Sequence, residues 1–244
     1  MHNAAFAALG LDWVYVAFPV PTGRGAAAVR SVLDLGLGGL NVTMPHKSAA
    51  ASACDDLASE AATLDAVNTV VVDGGQLIGH NTDGAGFLRA LADEGVAVDG
   101  KRCLVLGAGG AARAITLALG TTGATVTVAA RREDAARSTA RLADGHATTL
   151  AAAAIDECDV LVNATPLGMH GEPPPFDPAL LHRDQLVYDT VYPTETPLLA
   201  AARERGVAAV GGLGMLVHQG ARAFELWTGR TAPVDVMRAA ALGA

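Results

Sequence analysis

Lysine is nearly absent from this 244-residue chain: of seventeen basic residues fifteen are arginine, and only Lys47 and Lys101 are lysine. Aromatic residues make up 4%, so a core of this size must be aliphatic, built from alanine, valine and leucine. Cysteine is limited to Cys54, Cys103 and Cys158, far apart and without a CxxC pair. That pattern excludes a disulfide framework or a cysteine zinc site and fits a reduced, cytoplasmic protein. The seven histidines form no HxxxH pair. No apolar run is long enough to span a bilayer, and no basic-then-apolar leader opens the chain. No block of basic residues occurs and the formal charge is −8, which argues against nucleic acid or an anionic membrane surface as partner. A small anionic ligand therefore needs a local positive pocket. Against this background Lys47, in NVTMPHK, reads as a selected residue, because lysine can release a proton where arginine cannot. Lys101, beside Arg102 at the start of an apolar run, reads as surface charge.

The apolar run leads into the clearest pattern in the chain, KRCLVLGAGGAAR from Lys101 to Arg113. Cys103 to Leu106 predict a short buried parallel strand. Gly107, Gly109 and Ala112 follow the G-x-G-x-x-G/A spacing: a sharp turn, a close approach to a pyrophosphate, and close packing of helix on sheet. Gly110 and Ala111 open the helix, whose free N–H groups face the phosphates. Taken alone the pattern also fits a tight turn in another α/β protein. About 20 residues further on, where such sites select their cofactor, stand Arg131 and Arg132. Two arginines suit the 2′-phosphate of NADP; Glu133 and Asp134 follow, which keeps NAD open.

Along the chain, a helix over Met1–Leu9 precedes an aromatic and β-branched strand, Asp12–Phe18, then a helix from Ala26 to Leu35 and a strand, Gly39–Thr43. This alternation predicts a parallel sheet. Helical stretches at Ser48–Ala53 and Asp56–Leu64 lead to strands at Asn68–Val72 and Gln76–Asn81, joined by the hairpin residues Asp73, Gly74 and Gly75. Strand–helix repeats follow from Arg102 to Val210, with a weak helix at Ala151–Ile155. Gly211, Gly212 and Gly214 predict a flexible junction before a helix from Met215 to Thr228, and a last helix, Val234–Leu242, returns to the first domain. The expected fold class is α/β: two α/β domains, 1–83 with 215–244 for substrate and 84–214 as a Rossmann-type, doubly wound dinucleotide-binding domain.

Five stretches, NVTMPHK from Asn41, NTDG from Asn81, the glycine turn, NATPLGM from Asn163 and GLGMLVHQG from Gly212, together resemble the shikimate dehydrogenase family, in its order and spacing over the whole chain. The resemblance implies an active site in a cleft between the domains and reversible, NADPH-dependent reduction of 3-dehydroshikimate to shikimate. It implies a catalytic Lys47 with Asp83 as its partner; without it, Asp83 reads as an acid at a helix N-terminus. It implies that Thr43, Asn68 and Gln219 bond the substrate hydroxyls, that Tyr192 lies near the carboxylate, that Thr165, Leu167, Met169 and Met215 line the nicotinamide, and that Gly212 is also cofactor-binding. Asn163 is expected to be structural, and Met215 also reads as core packing. The alternatives are a quinate/shikimate relative using NAD, a nucleotide-binding regulatory paralogue and, more remotely, a methylenetetrahydrofolate dehydrogenase, which NVTMPHK and NTDG fit worse. A monomer or homodimer is expected.

One departure from the family pattern stands at the start. MHN resembles the family's sequence just after a first strand and a serine-x-serine loop, so roughly two dozen residues are expected to be missing, by ordinary strand and loop lengths. A late start assignment and a shortened relative both explain this; the retained Lys47 and Asp83 favour the first.

Overall fold

The computed structural model describes residues 1–192 and 195–243, so two residues of the VYPTETPLL stretch, 193 and 194, lie outside it. The chain forms two compact units, 1–86 with 217–244, and 87–216.

The first unit contains α1 (His2–Ala8), α2 (Gly25–Asp34), β1 (Gly39–Asn41), α3 (Lys47–Ala51), β2 (Asp56–Leu57), α4 (Ser59–Leu64), β3 (Thr69–Asp73), β4 (Gln76–His80) and α10 (Val234–Ala241). Its sheet runs β1-β3-β4-β2. The β3–β4 hairpin turns through Gly74 and Gly75, at φ +55° and +83°, the positive values that a two-residue hairpin loop needs. Val29, Val32, Ala50, Ala61, Val67, Val70 and Leu77 pack as its aliphatic core. Phe6 stacks on Phe224 at 5.4 Å, and the Trp227 indole Nε1 donates to Val70 O at 3.0 Å.

Three expectations fail in this unit. The sheet is not parallel: β3 runs antiparallel to both β1 and β4, and only β2 and β4 are parallel; a two-residue turn reverses the chain between β3 and β4, where a parallel pair needs a long crossover, whereas β1 pairs antiparallel with β3 across the whole α3–β2–α4 stretch. Asp56–Leu57 is a strand ahead of the helix rather than part of it. Asp12–Phe18 is not a strand. No strand of the sheet pairs with it; instead the Asn3 side-chain amide takes the backbone of Tyr15, accepting from its N–H at 2.6 Å and donating to its carbonyl at 2.9 Å.

The second unit is a six-stranded parallel sheet of β5 (Arg102–Leu106), β6 (Thr125–Ala130), β7 (His146–Thr149), β8 (Val160–Asn163), β9 (Leu186–Asp189) and β10 (Ala208–Gly211), in the order β7-β6-β5-β8-β9-β10. With α6 (Gly110–Gly120), α7 (Glu133–Ala140) and α8 (Pro197–Glu204) as crossovers, this is the doubly wound 3-2-1-4-5-6 order, whose direction reverses between β5 and β8. Both faces are covered: Cys103 and Val105 pack with Ile115, Leu119 and Tyr188, Leu104 and Leu106 with Leu161, Val187 and Leu198. Burial on both sides explains why β5 reads as an unbroken apolar run.

Two helices pass from one unit to the other, α5 (Asp83–Asp93) and α9 (Leu213–Thr228). At the expected junction β10 ends at Gly211 and α9 starts two residues on, with Gly214 inside it, its Cα facing Ala90 so closely that a Cβ would stand 3.0 Å from that side chain. The glycines serve close packing. The expected helix at Ala151–Ile155 is replaced by two short 3-10 turns, and β7, whose HATT sequence has little apolar content, has no strand signal of its own.

Candidate active site

In the first unit, β1 delivers the chain into the NVTMPHK turn, which contains a cis Met44–Pro45 bond and closes with His46 N–H donating to Thr43 O at 3.0 Å. Lys47 is the first residue of α3, and Asp83 the first of α5. Lys47 Nζ lies 2.6 Å from Asp83 Oδ2, with the side chains 21% and 11% exposed. The second oxygen, Oδ1, accepts from Asn68 Nδ2 at 2.8 Å. The carboxylate thus bonds across to a lysine and an amide rather than capping its own helix, and it holds the ammonium where water is largely excluded, which strengthens the pairing.

Asn68, just before β3, is 3% exposed. Its other amide hydrogen goes to Thr82 Oγ1 at 3.0 Å, and its carbonyl accepts from Thr82 N–H at 2.9 Å and Thr69 Oγ1 at 3.0 Å. Behind it Asn41 Nδ2 reaches Thr69 Oγ1 at 3.1 Å, and Tyr15 OH donates to Asn41 Oδ1. Gln219, on α9, has its Oε1 3.5 Å from the Thr82 hydroxyl. Its backbone N lies against Gly86, where a Cβ would stand 2.7 Å away; only glycine admits α9 this close to α5.

The structure therefore brings Lys47, Asp83, Asn68 and Gln219 into one constellation. Thr43 is exposed in the adjoining turn. Tyr192 is 45% exposed and belongs to the second unit. Asn41, Thr69 and Thr82 were not singled out as site residues. The available signal was their place in NVT and NT steps, polar residues at the ends of otherwise apolar strands.

In the second unit, the glycine turn follows β5 and the NATPLGM loop follows β8, on either side of the point where strand order reverses, the usual ligand crevice of such sheets. Gly107 has φ +113°, and a Cβ there would stand 2.8 Å from Ala164 O, whereas a Cβ on Gly109 would meet nothing within 4 Å. Gly109 is the N-cap of α6 and supplies no side-chain cap; Gly110 and Ala111 form the first turn, and Ala112 is fully buried on the sheet. The open space at Gly109 beside uncapped N–H groups fits a bound pyrophosphate. Arg131 follows β6 and Arg132 is the N-cap of α7, both exposed. Of the two rival ribose ligands in the first turn of α7, Glu133 is paired with Arg137 one turn along the helix and Asp134 is exposed. This arrangement suits a 2′-phosphate better than a ribose diol.

Thr165 and Leu167 are half-buried in the loop after β8, with Met169 51% exposed at its end. Gly212 packs so closely that a Cβ would stand 2.2 Å from Thr190 O. Met215 is 8% exposed and belongs to the core around Tyr188 and Phe87, in line with its packing role. Among the described residues no His, Cys, Asp and Glu group suits a metal ion, and no helix is long and apolar enough to cross a membrane.

Residues 1–70 match the family model of the shikimate dehydrogenase substrate binding domain, residues 212–242 that of the shikimate 5′-dehydrogenase C-terminal domain, and residues 102–187 are similar to the model described as NADP oxidoreductase coenzyme F420-dependent. Shikimate dehydrogenase (NADP(+)) of Symbiobacterium thermophilum is 49% identical, over 100% of this chain and 88% of the relative. The Methanopyrus kandleri protein of the same name is 47% identical, over 99% and 89%. Shikimate 5-dehydrogenase from Thermus thermophilus, solved with NADP(H) and shikimate, superposes with a TM-score of 0.91 at 37% identity, over 98% of this chain and 91% of that one. With this identity over its full length, the chain belongs to the shikimate dehydrogenase family.

Proposed function

We propose that this protein is an NADP-dependent shikimate dehydrogenase, catalysing the reversible reduction of 3-dehydroshikimate to shikimate. The observation that carries the reading is the Lys47–Asp83 pair at 2.6 Å, largely shielded from water, within a chain that matches shikimate dehydrogenases from end to end. Bound NADPH supplies the hydride that the ketone carbon accepts. As that carbon is reduced, negative charge builds on the carbonyl oxygen, and the Lys47 ammonium is the group to stabilise it and deliver the proton. Asp83 holds the ammonium in place and, through the oxygen shared with Asn68, takes part in binding a substrate hydroxyl.

Thr43 and Gln219 offer the neutral donor and acceptor groups that a polyhydroxy ring requires. Asn68 has both amide hydrogens engaged on Thr82 and Asp83, so it reaches a substrate hydroxyl only by exchanging one of these bonds. Tyr192 is assigned to the substrate carboxylate. Gly107, Gly109, Gly110 and Ala111 cradle the pyrophosphate, Arg131 and Arg132 take the 2′-phosphate, and Thr165, Leu167, Met169, Gly212 and Met215 shape the nicotinamide side. The first unit, 1–86 with 217–244, is the substrate half and the second the cofactor half. The charge of −8 and the lack of a basic block support an enzyme without nucleic-acid or anionic-membrane partners, which we assign to the cytoplasm as a monomer or homodimer.

The test follows nicotinamide absorbance with shikimate or quinate as substrate and NADP+ or NAD+ as cofactor. The fastest turnover is expected with shikimate and NADP+. Preference for quinate with NAD+ overturns the substrate and cofactor assignment, and NADP+ binding without turnover on either substrate makes the protein a nucleotide-binding paralogue.

A further inference from the structure

Asp189 is the last residue of β9 and is fully buried, a position where a carboxylate needs strong compensation. The compensation is entirely neutral. Asp189 Oδ1 accepts from Asn163 Nδ2 at 3.0 Å and from Val191 N–H at 3.1 Å, and Oδ2 accepts from Thr196 Oγ1 at 2.6 Å. Burial raises its pKa above the ordinary carboxylate value, and these three donors oppose that rise.

Each donor belongs to a different piece of the ligand edge of the sheet. Asn163 is the last residue of β8 and is in register with Asp189. Its carbonyl accepts from Thr165 N–H at 3.1 Å and Thr165 Oγ1 at 2.7 Å, while its amide also reaches Leu167 O at 3.2 Å. Thr196 is the N-cap of α8, its hydroxyl accepting from Leu199 N–H. It packs on Gly168, where a Cβ would stand 3.0 Å from Thr196 Cβ. One carboxylate thus ties the loop after β8 to Val191 and Thr196. That loop also abuts Gly107 through Ala164, and Thr190, next to Asp189, abuts Gly212.

From this connectivity we infer that Asp189 is a positioning residue for the cofactor, acting through Asn163 and Thr196 to lock the loop after β8 against Val191 and Thr196 in the shape that receives the nicotinamide half of NADP. A neutral clamp would hold the loop less rigidly, because hydrogen bonds to a charged acceptor are the stronger kind. The inference rests on the proposed function, since it assumes that this loop faces the cofactor.

The test uses the intact enzyme and compares Asp189→Asn, Thr196→Val and Thr196→Ser. Wild-type enzyme is first titrated with NADP+ by calorimetry and assayed with shikimate. Asp189→Asn cannot accept from both Thr196 and Asn163 through two oxygens, and Thr196→Val keeps the shape of threonine but removes the hydroxyl. Both are expected to weaken NADP+ binding and raise its KM by about tenfold, the scale of a lost hydrogen bond to a charged group, with KM for shikimate changed less than twofold. Thr196→Ser, which keeps the hydroxyl, is expected to bind NADP+ as wild type. If Asp189→Asn does not fold, the valine and serine pair decides alone. Equal NADP+ affinity of valine and serine variants overturns the inference, as does a parallel rise in both KM values. Wild-type enzyme that binds no NADP+ overturns the functional reading and this inference with it, whereas normal wild-type binding with unaffected variants overturns only the inference.

Discussion

Position 47 carries one of only two lysines in a protein that uses arginine for its other fifteen basic residues, and its surroundings explain what the choice provides. A guanidinium in the same place would still pair with Asp83 but would not give up a proton. Lys47→Ala and Lys47→Arg are therefore both expected to lower kcat by about 10²-fold or more, the usual scale for general acid–base catalysis. The arginine variant should retain substrate affinity better than the alanine variant. Steady-state kinetics with shikimate and NADP+ checks this, and near-normal turnover of either variant removes Lys47 from proton transfer. The pairing of Lys47 with Asp83 was legible only through the family resemblance, because 36 residues separate the two and an acid opening a helix has an ordinary explanation of its own. The role of Asn68 as the brace for Asp83 was not legible: an asparagine before a strand gives no sign of which neighbours it will meet.

At the scale of elements, the turn between β5 and α6 contains two glycines doing different work. Gly107 combines a left-handed φ with a backbone oxygen 2.8 Å from its missing Cβ, while Gly109 is at φ −82° with open space around it. Gly107→Ala is thus expected to destabilise the fold by about 1–3 kcal/mol. Gly109→Val should leave the melting temperature nearly unchanged yet abolish measurable NADP+ binding, since its side chain enters the phosphate space. Thermal melts and NADP+ titrations of both variants check the contrast; a Gly109 variant that still binds NADP+ sinks the cradle assignment. This element was legible in advance, with a strand expected from Cys103 to Leu106 and β5 found at Arg102–Leu106, because a doubly buried strand and a glycine turn are written in local residue types. Asp12–Phe18 shows the opposite case. Its composition is that of a strand, but a strand exists only with a partner for its backbone, and partners are not written locally. Trp13, Val14, Val16 and Phe18 are left 44% to 75% exposed.

At the scale of the whole molecule, a loss of stability in mild acid is expected from a residue far from any expected role, His2. His2 is 5% exposed, stacked on Tyr15 at 4.5 Å and 5.2 Å from Trp227. Its Nδ1 is buried without a hydrogen-bond partner. Burial lowers its pKa to about 4. In the unfolded chain the same imidazole titrates near its ordinary value of 6.5. Above that value it is neutral in both states and pH has no effect through it. As pH falls from 6.5 toward 4, the unfolded chain takes up a proton that the folded protein refuses, so folding stability drops across that window by up to about 3 kcal/mol. Below about 4 both states are protonated and the loss is complete. His2→Phe fills the same aromatic setting without a titrating group, so its urea midpoint is expected to fall less than that of wild type between pH 6.5 and 4. Paired urea titrations across this range decide the matter: parallel curves for the two proteins would place the acid sensitivity on other groups.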